Sequence, residues 1–207
     1  PNNYNQLTSF FEGLDYYLHV SREAQERLDL QLASRFSVFD YISISENKIS
    51  EMLADLLNPK GKHGQGRLFL DLFLQQCVEY RAINNRPMDI YLESSGFGIA
   101  IENKLWAKEQ NEQLNAYMEH LELTFGKHYL FIFLTVESRE PESIPIQKWK
   151  NLLTTGNALH LYYDTDIIPW LLSCREKCQA DKIRHFLNDF SNYIQQNFER
   201  QSILPGD

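Results

Sequence analysis

Asp89, Glu102 and Lys104 are the residues whose types and spacing carry the clearest chemistry. They fall in two strand-like segments, 87–93 and 98–105, on either side of Ser94-Ser95-Gly96-Phe97, a short hairpin signal. A two-residue turn at Ser95-Gly96 sets Ser94 against Phe97, and the same register sets Asp89 opposite Glu102. Opposed Cβ atoms in such a pair are ~5 Å apart, close enough for two carboxylates to grip one cation. Lys104, two residues beyond Glu102, points to the same face because strand side chains alternate. The other face collects Met88, Ile90, Leu92, Ile99 and Ile101 as an apolar packing surface, so one face is expected to be core and the other to concentrate the polar trio. Two adjacent carboxylates repel and need a proton, a cation or a basic neighbour. The plainer alternative is a Glu102–Lys104 ion pair at a sheet rim.

Other residues are candidates to join them. Glu46 and Glu51 both lie in a helical segment. On a 3.6 period Glu46 shares a face with Ile49, Ser50, Leu53 and Leu57, whereas Glu51 falls with Lys48 and Asp55 on the wet side, so Glu46 is the choice. Ser43-x-x-Glu46 also fits a capping box, in which the glutamate only satisfies a helix end. Gln113 and Tyr117, four apart, stack on one helical face with Gln110 a turn earlier; a half-buried amide and a core tyrosine are the alternative. Lys60, Lys62, His63 and Arg67 lie in a glycine-spaced loop without an acid, suited to phosphate contacts or to solvent, with His63 a possible helper near a metal. Gly61-x-x-Gly64-x-Gly66 matches no P-loop or dinucleotide fingerprint. Lys148-Trp149-Lys150 reads as a surface loop, or as a small patch with a stacking ring.

These residues need elements to hold them. Helical spacing runs over about 4–35, with Leu7, Phe10, Phe11, Leu14, Tyr17 and Leu18 on one stripe, and again over about 44–57 and 68–80. Asn58-Pro59 ends the second of these helices, since the residue before proline is pushed out of the helical region. After the hairpin come a helix from about 108 to 124, a buried strand at 129–136, a strand at 158–163, and helices at 166–178 and 181–198. Helices followed by a mixed sheet wrapped in helices predict an α/β or α+β domain.

Length and composition bound the rest. A chain of 207 residues suits one domain and buries roughly 70% of its unfolded surface without disulfides. The hydrophobic share of 43% rules out a disordered or fibrous chain. The longest wholly apolar run, Tyr129 to Leu134, is too short to span a membrane, and no basic lead into an apolar run suggests a secretory signal. Cys77, Cys174 and Cys178 are an odd, sparse set that fits a reducing, cytoplasmic setting. Even with His185, Cys174 and Cys178 lack a fourth ligand for zinc and are read as plain thiols. The net charge of -8 is the reverse of a strong nucleic-acid binder's surplus, so any such binding must rest on local sites.

Asp89, then Glu102-Asn103-Lys104 on the next strand, then a helix, resembles the PD-(D/E)xK nuclease superfamily, the restriction-endonuclease-like fold. Gln113-Leu114-Asn115-Ala116-Tyr117 looks like the Q-x-x-x-Y motif of its exonuclease-type branch. Glu46-x-x-x-Ser50, running to Leu56-Leu57-Asn58-Pro59 and His63-Gly64, is similar to the leading helix of bacterial members. The proline stands two before the aspartate (Pro87-Met88-Asp89) instead of adjacent to it. The resemblance implies a single domain over 1–207: a core of about 44–165 with a central mixed β-sheet flanked by helices, a helical N-terminal extension over about 1–40, and C-terminal helices over about 166–199. It implies Mg2+, or Mn2+, held by Asp89, Glu102 and the Asn103 backbone carbonyl with Glu46 as the leading-helix acid. Lys104 would position or deprotonate water, and Gln113 and Tyr117 would brace the site. The implied activity is a metal-dependent nuclease acting on DNA, with RNA also open, in DNA repair or phage defence, without a membrane and with a partner protein or a homodimer to help binding. The alternatives are an inactive nuclease-fold module for protein or nucleic-acid interaction, and a metal-dependent hydrolase of a smaller substrate.

Overall fold

The computed structural model describes residues 2–33, 36–78, 90–94, 96–105, 113–136 and 139–198. The chain comprises two compact units, Pro1–Tyr41 and Ile42–Asp207. The first holds α1 (Asn2–Leu32), the long amphipathic helix expected there, and a 3-10 turn at Val38–Tyr41. Among the described residues no helix is long and apolar enough to cross a membrane.

The second unit is built on a four-stranded mixed sheet in the order β1 (Ile90–Ser94), β2 (Phe97–Lys104), β3 (Tyr129–Thr135), β4 (Ala158–Tyr162). β1 and β2 are antiparallel with Ser94 against Phe97 and Ile90 against Ile101, the register the hairpin signal predicts. Gly96 closes the turn at φ +94°, a left-handed conformation that glycine adopts without steric cost. β2, β3 and β4 run parallel, and their chain connections pass through helices.

Helices cover both faces. Ile90, Ile101, Ile132, Leu134 and Leu161 meet Leu53 and Leu57 of α2 (Glu46–Leu57), Phe73 of α3 (Leu68–Val78) and Trp170 of α6 (Ile168–Lys177). α7 (Asp181–Phe198) packs against α6. Ala100, Phe131, Phe133 and Ala158 form the opposite core with Leu114, Met118 and Leu121 of α4 (Gln113–Phe125) and with Trp149 and Leu152 of α5 (Ile146–Thr155). The expectation that only one face of the hairpin is core is therefore corrected. β2 is buried along both faces because α4 and α5 close over the second, as parallel sheets require. The second correction concerns Lys148-Trp149-Lys150. It lies within helix α5, and Trp149 is buried against Phe131 and Phe133, so its ring serves the core and is not a surface stacking platform.

α2 starts one residue after Ser45, whose side chain accepts from the Lys48 N–H (3.2 Å), and it stops at Asn58 in the extended conformation that Pro59 imposes. After β4 the chain makes one π-helical turn, Tyr163–Ile167, in which the Ile168 N–H bonds to the Tyr163 carbonyl, before α6 begins.

Candidate active site

The three parallel strands end at Lys104, Thr135 and Tyr162, which are register neighbours across the sheet. Ligands of open α/β sheets gather at such carboxyl-terminal edges. Glu102 and Lys104 share a face of β2, and Lys104 Nζ lies 2.8 Å from Glu102 Oε1. Glu102 is 1% exposed and Lys104 7%, so this is no rim pair in solvent. Ion pairs at this depth are expensive to desolvate and weak contributors to stability.

Glu46 reaches the same place from the first turn of α2. Its Oε1 is 4.0 Å from Lys104 Nζ and its Oε2 accepts the Leu105 N–H at 2.9 Å, just past the end of β2. The capping-box alternative is overturned: the cap is Ser45, not Ser43, and Glu46 turns away from its own helix end toward β2. Glu51, as expected, faces solvent and pairs with Lys48. Arg139 Nη2 donates to the Lys104 carbonyl (3.2 Å) and brings a guanidinium to the strand end. On the neighbouring strands Thr135 Oγ1 lies 2.9 Å from His160 Nε2, and the Tyr162 hydroxyl 3.3 Å from His160 Nδ1.

The remaining sequence candidates divide. Asp89 lies outside the described residues, as do Pro87, Met88 and Gln110. Among the described residues the register of β1 and β2 runs from Ile90 against Ile101 to Ser94 against Phe97. Gln113 opens α4, and Tyr117, one turn on, is half-buried against the core that contains Ala100 and Phe133. Asn103 is fully buried, its side chain directed to the face opposite Glu102 and Lys104. His63 is no helper at the site. Its ring is buried against Phe69 and spans its own loop, Nε2 2.9 Å from the Asn58 carbonyl and Nδ1 accepting the Gln65 N–H at 3.0 Å. Lys60, Lys62 and Arg67 are exposed, and Arg67 pairs with Asp71. Cys174 and Cys178 are buried free thiols, while His185 is exposed. Sequence reasoning missed Arg139, Thr135, His160 and Tyr162. The last three sit in runs that read only as buried strand, and strand periodicity is the one signal they offered.

Among the described residues no three His, Cys, Asp or Glu side chains gather as a metal-holding group. Glu46 and Glu102 do bring two carboxylates within 4.0 Å of one ammonium nitrogen. Carboxylate oxygens are the hard donors that Mg2+ and Mn2+ take, so the donor set fits a hard divalent cation.

A sequence model of the PD-(D/E)XK nuclease superfamily matches residues 36–86 and 78–192, well over half of the chain. No curated protein and no solved structure gives a match. A mixed sheet with helices on both faces and an acid–acid–lysine cluster at its carboxyl edge define a restriction-endonuclease-like protein. The chain belongs to the PD-(D/E)XK nuclease superfamily.

Proposed function

We propose that the protein is a divalent-cation-dependent nuclease that hydrolyses phosphodiester bonds in DNA. The observation that carries this reading is the burial of Glu102 and Lys104 as a 2.8 Å pair at the carboxyl edge of the parallel strands, with Glu46 directed at the same ammonium from another element.

Glu102 and Glu46, with Asp89 opposite Glu102 if the hairpin register extends by one pair, are the residues that would hold Mg2+, and the Asn103 carbonyl is the fourth candidate. A bound Mg2+ would acidify water and neutralise charge on the phosphate. Lys104 has two tasks. Its ammonium, held by Glu102, orients the attacking water, and its charge offsets the negative charge that grows on the phosphoryl oxygens. In the reaction a water oxygen bonds to phosphorus, one phosphorus–oxygen ester bond breaks, and a proton reaches the leaving sugar oxygen. Gln113 and Tyr117 brace the site from α4. Arg139, anchored on the Lys104 carbonyl, adds a planar guanidinium suited to a phosphate.

The test is cleavage of linear, circular and single-stranded DNA, and of RNA, with and without Mg2+. The wild-type chain is expected to cut DNA only with the cation and to stop on chelation, with Mn2+ restoring activity. Lys104→Ala is expected to fold and to be inactive. Equal cleavage by that variant would contradict the assignment. Cation binding without cleavage of any polynucleotide would favour a smaller substrate, and absence of both would favour an interaction module.

A further inference from the structure

Behind Glu102 and Lys104, on the opposite face of β2, the side chains flanking Asn103 in the sheet are apolar: Ile101 on its own strand and Leu134 on β3. Asn103 itself is fully buried among them. Its Nδ2 donates to Ser50 Oγ at 2.9 Å, and the Tyr163 hydroxyl donates to its Oδ1 at 2.8 Å. Ser50 Oγ in turn donates to the Glu46 carbonyl at 3.2 Å. One directional chain of hydrogen bonds therefore runs from the π-helical turn through β2 to the first turn of α2. Ser50 and Tyr163 are also buried.

A buried amide must be paired or it costs free energy, and even when paired it stabilises little more than a well-fitting apolar side chain would. What such a network supplies is geometry. Asn103 stands between Glu102 and Lys104 in the chain, and Ser50 is one turn beyond Glu46 on the same face of α2. The π-helix, a rare element that often marks functional sites, delivers the Tyr163 hydroxyl to the amide.

We propose that Asn103 is a positioning residue: through Ser50 and Tyr163 it fixes helix α2 against strand β2, and so sets the acid of one element against the acid and amine of the other. The inference rests on the reading of Glu46 and Glu102 as cation-holding carboxylates. It makes cation affinity, and not only stability, depend on the Asn103 side chain, which is turned to the face opposite Glu102 and Lys104. Side chains in this outer position typically change metal affinity or activity 10–100-fold, roughly, when altered.

The experiment titrates Mn2+ into the full chain and follows free Mn2+ by electron paramagnetic resonance, beside the thermal midpoint of each variant. Asn103→Leu and Tyr163→Phe are expected to weaken Mn2+ binding by about tenfold or more. Ile132→Val, which trims the same core face without touching the network, should lower the midpoint and leave binding unchanged. If Asn103→Leu does not fold, Tyr163→Phe, which removes one hydroxyl, carries the test. Unchanged binding in folded network variants, or equal weakening in Ile132→Val, would overturn the positioning role alone. A wild-type chain that binds no Mn2+ would overturn both this role and the nuclease reading.

Discussion

At the scale of single residues, the Glu102–Lys104 pair sets the terms. With almost no solvent at either group, deleting one charge leaves the other in the interior without its 2.8 Å partner, a change that typically costs up to about 3–5 kcal/mol, and less when Glu102 is the one deleted, since Glu46 still faces the Lys104 ammonium. Lys104→Met and Glu102→Gln should each lower unfolding free energy by up to that amount in urea titrations. The double variant should recover much of the loss, because the one charge left of the cluster, Glu46, is partly exposed and still accepts the Leu105 N–H, and it should still cleave nothing. Additive losses in the double variant would mean the two groups are not coupled. That Glu102 and Lys104 share a face was legible in the sequence, since it needs only strand alternation. Their burial was not, because it depends on packing between elements, which strand alternation does not show. The Ser50–Asn103–Tyr163 contacts were illegible for the same reason: they join positions more than fifty residues apart.

Among elements, the hairpin was the most readable, because a Ser-Gly turn fixes a register that the ladder then follows pair by pair. The two strands after it and the closing helices were also visible, as apolar runs or helical periodicity. Helix α5 was not. Its inward Trp149 is flanked by Lys148 and Lys150, and so short an amphipathic pattern imitates a basic loop. The π-helical turn carries no sequence signal at all. Trp149→Ala is expected to cost about 3–5 kcal/mol, the usual penalty for emptying a core aromatic site, read from the denaturation midpoint. Were Trp149 a surface ring for stacking on bases, the same variant would weaken DNA binding and leave stability intact. Gly98 is a second test of this packing, since a Cβ there would run into the Phe125 ring of α4; Gly98→Ala should destabilise.

For the whole molecule, burial also governs the thiols. Desolvation pushes the Cys77 and Cys174 thiols from an ordinary 9.0 up to about 12, with Asp166 adding to the first and Cys178 to the second. In the unfolded chain these thiols ionise near 9.0, while the folded chain keeps its protons. Their contribution to stability is therefore complete below about pH 9 and is lost as the pH climbs toward 12. A thermal midpoint that falls over that window, with thiols slow to react with a disulfide reagent until denaturant is added, is the expected result; rapid reaction of the native chain would contradict it. The net charge of -8 sets a second condition on the whole protein: binding of a polyanion would rest on local cations and should weaken steeply with salt. The most direct measurement of the central claim is the single-turnover rate of DNA cleavage in Mg2+ by the wild-type chain and by folded Glu102→Gln. We predict a fall of at least ~10²–10³ in the variant, the scale for losing a group that stabilises transition-state charge. Equal rates would mean that phosphodiester hydrolysis does not occur at this site.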